Sequence, residues 1–306
     1  MAKTPHEQHS TPRTVHNTLP SIMTSPPHVP TFTLCNGVQL PSLGLGTYRL
    51  KGAECREVVK NALRVGYRLI DTAAVYKNEG DVGAAVQELV NTGEITREQV
   101  FITTKISPRD QGFDKAYAAG LTCLSNLGLS YIDLLLIHWP GTQGRKPTDP
   151  RNKTNRTESW RALETLYKQG RVRAIGVSNF TVEHLKGLLE SGAEIFEFHP
   201  YLYTTQQPLL TYCKSNHIQP QAYSSFGEGH LFQSPCSLNT NGTKCTRAQI
   251  LLSWALRQNV GVIPKASCLD RLIENLGAVE VDKEFVLDFL DQDVVKRFCW
   301  DPTGVV

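Results

Sequence analysis

No stretch of the 306-residue chain approaches the ~18–20 consecutive apolar residues that a membrane span requires. The opening Met1-Ala-Lys-Thr-Pro-His6 lacks the apolar core of a secretory signal. A cytoplasmic protein with no membrane partner is the expectation. Surplus charge is also scarce. The formal net charge is +3 and the Lys and Arg residues are scattered, which argues against nucleic acid or an anionic membrane as partner and leaves room for a small anionic ligand. The eight cysteines, at positions 35, 55, 123, 213, 236, 245, 268 and 299, form no CxxC pair and have no histidine at zinc-like spacing. They read as free thiols in a reducing compartment, and no metal site is expected. The glycine fingerprint of a doubly wound dinucleotide-binding sheet is missing too: Leu43-Gly-Leu-Gly-Thr47 lacks the third glycine and the acidic residue after the following strand.

With 40% hydrophobic and 20% charged residues, the chain has enough apolar material for a large core. Residues 1–30 do not contribute to it. They carry Pro12, Pro20, Pro26, Pro27 and Pro30, many Ser and Thr, and few large apolar groups, so they read as a disordered tail before one domain at 31–306. Thr31 to Leu40 reads as a hairpin around Asn36-Gly37. From there short apolar runs alternate with amphipathic segments. Strands are expected at 42–46, 69–71, 100–105, 132–138, 174–178, 195–198, 219–223 and 260–265. The helices between and after them fall at 53–65, 79–91, 113–127, 157–169, 181–190, 206–215, 246–258 and 270–276. Eight such units in ~250 residues predict a (β/α)8 TIM barrel with an N-terminal hairpin cap and a C-terminal rim segment. The polar, proline-rich stretch from Pro140 to Arg156 reads as a loop on the catalytic face.

Three apolar runs end on ionisable residues: Leu69-Ile-Asp71, Val100-Phe-Ile-Thr-Thr-Lys105 and Tyr131-Ile-Asp-Leu-Leu-Leu-Ile-His138. Tyr76 follows the first. Barrel enzymes draw catalytic groups from the C-terminal ends of several strands, so Asp71, Tyr76, Lys105 and His138 are expected together. A phenol with a pKa of ~10 needs a nearby positive charge to stabilise its phenolate. Lys105 supplies that charge, Asp71 holds the lysine charged, and His138 donates a hydrogen bond to a substrate oxygen. Such a set delivers a proton to a carbonyl oxygen. No side chain is an evident carbon-directed nucleophile, which leaves a hydride carrier as the second reactant.

These residues resemble the aldo-keto reductase superfamily. The likeness extends through Leu43-Gly-Leu-Gly-Thr-Tyr48, Gly66 to Glu79, Thr104-Lys105, Asp133 to Pro140, Gly176-Val-Ser-Asn-Phe180 and Val262-Ile-Pro-Lys265, spanning roughly residues 31–277. Trp139-Pro-Gly-Thr-Gln-Gly144 and Phe298-Cys-Trp-Asp-Pro302 are most similar to a small-carbonyl or glyoxal-reductase-like branch. The resemblance implies Tyr76 as general acid for an NADPH-dependent reduction of aldehydes and reactive ketones, assisted by Lys105, Asp71 and His138. It also implies cofactor contacts from Thr47, Tyr48, Asp71, Ser178, Asn179, Tyr223, Lys265, Arg271 and Asn275, with Lys265 and Arg271 on the 2′-phosphate. Tyr48, His138 and Trp139 line the substrate pocket in this reading. The partner is a small-molecule carbonyl and the protein is expected to be a monomer.

The chain departs from the pattern where the family carries a glutamine that contacts the cofactor's carboxamide. Here the segment reads Ser191-Gly-Ala-Glu-Ile-Phe-Glu-Phe-His-Pro200, with Ile195 in the glutamine's place and a shortened preceding loop. One hydrogen bond to a neutral amide contributes ~0.5–1.5 kcal/mol. The helix before Thr246 is also barely discernible, and Ala266 stands where a serine is common. These departures support a rival expectation: an NADPH-binding, catalytically weak redox sensor or structural protein on the same barrel.

Overall fold

The computed structural model describes residues 28–186, 188, 192–233, 238–239, 245–281, 286–287 and 295–306. Nearly all of the expected N-terminal tail lies outside them. The hairpin pairs Thr31–Thr33 with Gln39–Pro41, Phe32 facing Leu40. Asn36-Gly37 does not form the whole connection. Gly37, at φ 83°, donates from its N–H to the Leu34 carbonyl at 2.8 Å, and Leu34 N–H donates to Val38 O at 2.9 Å. The connection is therefore one residue longer, a turn closed by a left-handed glycine. Leu34 and Leu40 pack with Leu69, Phe101, Leu134, Leu136, Ala174, Ala193, Ile195 and Ile263, so the hairpin plugs the N-terminal end of the barrel.

Eight parallel strands follow in chain order around the sheet: β1 (Leu45–Gly46), β2 (Leu69–Asp71), β3 (Phe101–Ile106), β4 (Ile132–Ile137), β5 (Val172–Ser178), β6 (Gly192–Glu197), β7 (Ile218–Tyr223) and β8 (Gly261–Val262). A parallel bridge between Leu43 and Val262 joins the last strand to the first and closes a (β/α)8 barrel. Val262 N–H donates to Ser42 O, and Gly44 N–H to Val262 O, both at 2.8 Å. Strands buried on both faces read as continuous apolar runs, as β4 does with Ile-Asp-Leu-Leu-Leu-Ile, all six buried. Gly44 is required by close packing: a Cβ there would lie 2.0 Å from Leu69 Cδ2.

The helices are α1 (Gly52–Val65), α2 (Glu79–Asn91), α3 (Phe113–Leu127), α4 (Arg151–Lys168), α5 (Val182–Leu185), α6 (Tyr203–Ser215), α7 (Arg247–Arg257) and α8 (Leu269–Leu276). Among the described residues no helix is long and apolar enough to cross a membrane. The largest correction concerns α4, which starts at Arg151, so the expected loop from Pro140 to Arg156 ends at Pro150. Its polar residues anchor the loop. Asn152, 1% exposed, donates to Lys146 O and Pro147 O and accepts from Thr142 N–H, all at 3.0 Å. Buried Arg156 donates to Val306 O at 2.7 Å. Strand six begins at Gly192, three residues earlier than expected, paired in regular register with both β5 and β7. Of the helix expected at 181–190, Val182–Leu185 is helical, while 187 and 189–191 lie outside the described residues. Between β7 and α7 the described backbone forms a 3-10 segment, Gly227–Phe232, and 234–237 and 240–244 lie outside.

Candidate active site

β2 ends on Asp71, and the 3-10 turn Ala74–Tyr76 carries Tyr76 back over the barrel mouth. Buried Asn78 fixes that turn. It accepts from Thr72 Oγ1 at 2.6 Å and donates to Thr47 O at 3.0 Å and Leu50 O at 2.9 Å. Glu79, also buried, accepts from Thr104 Oγ1 at 2.6 Å, linking α2 to β3. Both residues lie inside the Tyr76-Lys-Asn-Glu79 run, but their partners, two main-chain carbonyls for Asn78 and the Thr104 and Asn126 side chains for Glu79, are brought close only by folding.

Lys105 Nζ donates to both oxygens of Asp71, at 2.7 and 2.6 Å, and to Thr72 O at 2.9 Å. Burial works against both charges, raising the Asp71 carboxyl and lowering the Lys105 ammonium, while each partner opposes the shift in the other. The same nitrogen lies 5.3 Å from the Tyr76 ring centroid. The expected phenolate-stabilising charge is therefore largely neutralised by Asp71. Burial first, and then the Asp71 charge, hold the Tyr76 hydroxyl well above the usual phenol range, so it is a protonated acid at neutral pH. The His138 ring meets the Tyr76 ring edge-on, with centroids 5.8 Å apart. Burial, aided by the Lys105 charge, pushes its imidazole down to about 3, and among the described residues its buried Nδ1 has no partner. It is a neutral ring beside the acid.

The structure gathers the other expected residues into two groups. Near the mouth, Thr47 Oγ1 donates to Asp71 O at 2.9 Å. Tyr223 OH donates to Asn179 Oδ1 at 2.6 Å, and Asn179 Nδ2 donates to Ser178 Oγ and His138 O, both at 3.0 Å. Asn179 has φ 65°, and this bend turns its amide inward from the end of β5. Ile195, fully buried in the inner cluster, presents hydrocarbon there, and its carbonyl accepts from Ser178 Oγ at 2.9 Å. The second group lies past β8. Lys265, Arg271 and Asn275 line one cavity of about 410 Å³ with Phe226, Gly229, Phe232, Ala248 and Glu274. Among the described residues neither Lys265 nor Arg271 has an ion-pair partner, so both cations are available to an anion.

One residue at the mouth, Glu197, is not marked as functional by the sequence. Glu197, fully buried at the end of β6, accepts from Phe298 N–H at 2.7 Å and Cys299 N–H at 3.2 Å, and holds His199 at 3.1 Å. It draws the C-terminal segment across the barrel. Cys299 then lies 3.2 Å from Ser224 Oγ, and burial pushes its thiol up to about 11. Trp300 meets the Trp139 ring edge-on at 6.5 Å. The Glu-x-His-Pro segment signals Glu197, but its target is about a hundred residues away in the chain. Tyr48, 44% exposed, packs 5.1 Å from the Tyr76 ring.

The model of the aldo/keto reductase family matches residues 42–235. A glyoxal reductase of Bacillus subtilis (strain 168) is 42% identical over 279 residues, covering 86% of this chain and 93% of that protein. An uncharacterized oxidoreductase of the same organism is also 42% identical, over 274 residues, covering 87% and 90%. Among solved structures, a Bombyx mori aldo-keto reductase in complex with NADP superposes with a TM-score of 0.72 at 31% identity, covering 88% of this chain and 92% of that one.

Proposed function

The chain belongs to the aldo/keto reductase family, and we propose that it reduces small aldehydes and reactive ketones with NADPH, Tyr76 acting as general acid. The observation that carries this reading is the Tyr76 phenol at the mouth, 5.3 Å by its ring centroid from the Lys105 Nζ that Asp71 holds, with the His138 ring edge-on at 5.8 Å. The described residues fit the cofactor at both ends. Lys265 and Arg271, beside a cavity and without an ion-pair partner among the described residues, suit a phosphate dianion, where charge-assisted hydrogen bonds are strongest. The chain formed by Tyr223, Asn179 and Ser178 offers amide and hydroxyl groups for a carboxamide. When bound, the reduced nicotinamide supplies hydride to the carbonyl carbon. Tyr76 gives its proton to the carbonyl oxygen, and His138 donates a hydrogen bond that holds that oxygen beside the phenol. The phenolate left behind lies near the Lys105 ammonium, 5.3 Å from the ring centroid, but that charge is shared with Asp71, so the buried phenolate is readily reprotonated. Tyr48, Trp139 and Trp300 supply aromatic walls, and the glyoxal reductase relative supports small dicarbonyls as one substrate class.

Mixing the protein with NADPH and short aldehydes, and following the loss of nicotinamide absorbance, tests the proposal. Tyr76→Phe should lower kcat by ~10²–10⁴-fold while NADPH still binds. Undiminished turnover in that variant would remove Tyr76 from the role. Ile195 favours a second reading, a protein that binds NADPH without turning over. Its signature is quenching of nucleotide fluorescence with no aldehyde-dependent oxidation.

A further inference from the structure

We infer that Gln111 is a positioning residue that sets aldehyde selectivity by fixing the loop carrying Trp139, an inference that rests on the proposed reading of Trp139 as a substrate wall. Gln111 follows the 3-10 turn Pro108–Asp110 beyond β3 and is 3% exposed. Both ends of its amide are engaged. Nε2 donates to Trp139 O at 2.6 Å and to Gly141 O at 3.1 Å, and Oε1 accepts from Thr142 Oγ1 at 2.9 Å. Thr142 Oγ1 in turn accepts from Asn155 Nδ2 at 3.0 Å, and Thr142 N–H donates to Asn152 Oδ1 at 3.0 Å. One buried amide therefore ties the loop after β3 to the loop after β4 and to α4. Trp139 directly follows His138, whose ring lies 5.8 Å from that of Tyr76, and its indole meets Trp300, which is 70% exposed. The hold on the Trp139 backbone thus sets how far the aromatic wall stands from the acid. Two carbonyl oxygens and one hydroxyl demand a group with two N–H donors on one atom and an acceptor on the other, which only an amide of this length supplies.

This requirement gives the test a signature that ordinary loss of packing does not produce. In Gln111→Glu an ionised carboxylate would face two carbonyl oxygens and repel both. Once protonated, the acid donates to one of them again, and burial moves that protonation upward in pH. KM and kcat are measured at saturating NADPH for a short aliphatic and a bulky aromatic aldehyde, from mildly acidic to mildly alkaline pH, in the wild type, Gln111→Glu and Gln111→Leu. The expected result for Gln111→Glu is a KM for the short aldehyde raised about tenfold at alkaline pH. That KM should fall toward the wild-type value on acidification, with kcat and NADPH affinity unchanged. Gln111→Leu should raise KM at every pH, and in both variants the preference for short over bulky aldehydes should shrink. A KM in Gln111→Glu that tracks the wild type at all pH values overturns the inference, as does a fall in kcat and NADPH affinity in step with KM. If Gln111→Glu does not fold, an unaltered KM in Gln111→Leu overturns it. A wild type that binds NADPH but turns over no aldehyde overturns the proposed activity and this inference with it.

Discussion

At His138 the surroundings reverse the usual behaviour of an imidazole near neutrality. Its folded value, about 3, lies below the ordinary 6.5, so between these values the unfolded chain binds a proton that the folded chain refuses. The contribution is fully present above pH 6.5 and is lost as pH falls through the window toward about 3. One such proton tilts stability by at most about 1.4 kcal/mol per pH unit. His138→Gln should therefore flatten the acid limb of a denaturation-against-pH curve. An unaltered limb would mean that the ring is protonated in the folded state. Asp71, Tyr76, Lys105 and His138 were legible in the sequence because each sits at or just beyond the end of an apolar run, where a barrel presents its chemistry. Gln111 and Asn78 were not, since their partners are largely main-chain carbonyls brought close only by folding. The sequence likewise places a lysine near the phenol, but that both carboxylate oxygens of Asp71 hold its ammonium emerges only from the fold.

Among the elements, all eight strands lie where the sequence places them, with bounds that differ by up to three residues, because hydrophobic runs bounded by polar residues have no other stable home in a barrel. The start of α4 is masked in the sequence because its first turns are polar on the side that packs: Asn152, Arg156 and Ser159 are buried and hydrogen-bonded to loop and C-terminal backbone. The C-terminal segment shows the same logic, since a carboxylate at the end of β6 anchors it. Burial works to raise the Glu197 carboxyl, but His199, the Phe298 N–H and Arg297 together outweigh it and hold the group below the usual range. That hold is present above the ordinary carboxylate value of 4.5 and is lost as pH falls below it. Hydrogen bonds to a charged group contribute about 1.5–3 kcal/mol each. Glu197→Gln should therefore speed hydrogen exchange at the Phe298 and Cys299 amides and raise the aldehyde KM. Unchanged exchange there would show that the aromatic packing of Phe298 against His199 and His230 suffices.

For the whole molecule, ligand binding and stability are one equilibrium. NADPH at a hundred times its Kd should stabilise the fold by about 2.7 kcal/mol, read as a rise in Tm. Lys265→Met combined with Arg271→Met should abolish most of that rise with NADPH and leave the response to NADH as it was. An equal loss with both nucleotides would point away from the 2′-phosphate. The placement of these cations has a further consequence through the way the barrel closes. β1 and β8 contain two residues each, and beyond them the closure depends on the Leu43 to Val262 bridge and on Gly46 N–H reaching Pro264 O at 3.1 Å. This seam is the thinnest join in the wall, with Thr47 on one lip and Lys265 on the other. A dinucleotide bound as proposed, against both lips, would be a rivet through the seam. A cell short of reduced nucleotide would then hold more of this protein with its seam sprung, exposed to proteases that remove opened chains. The supply of the coenzyme would set how long the enzyme lasts as well as how fast it works.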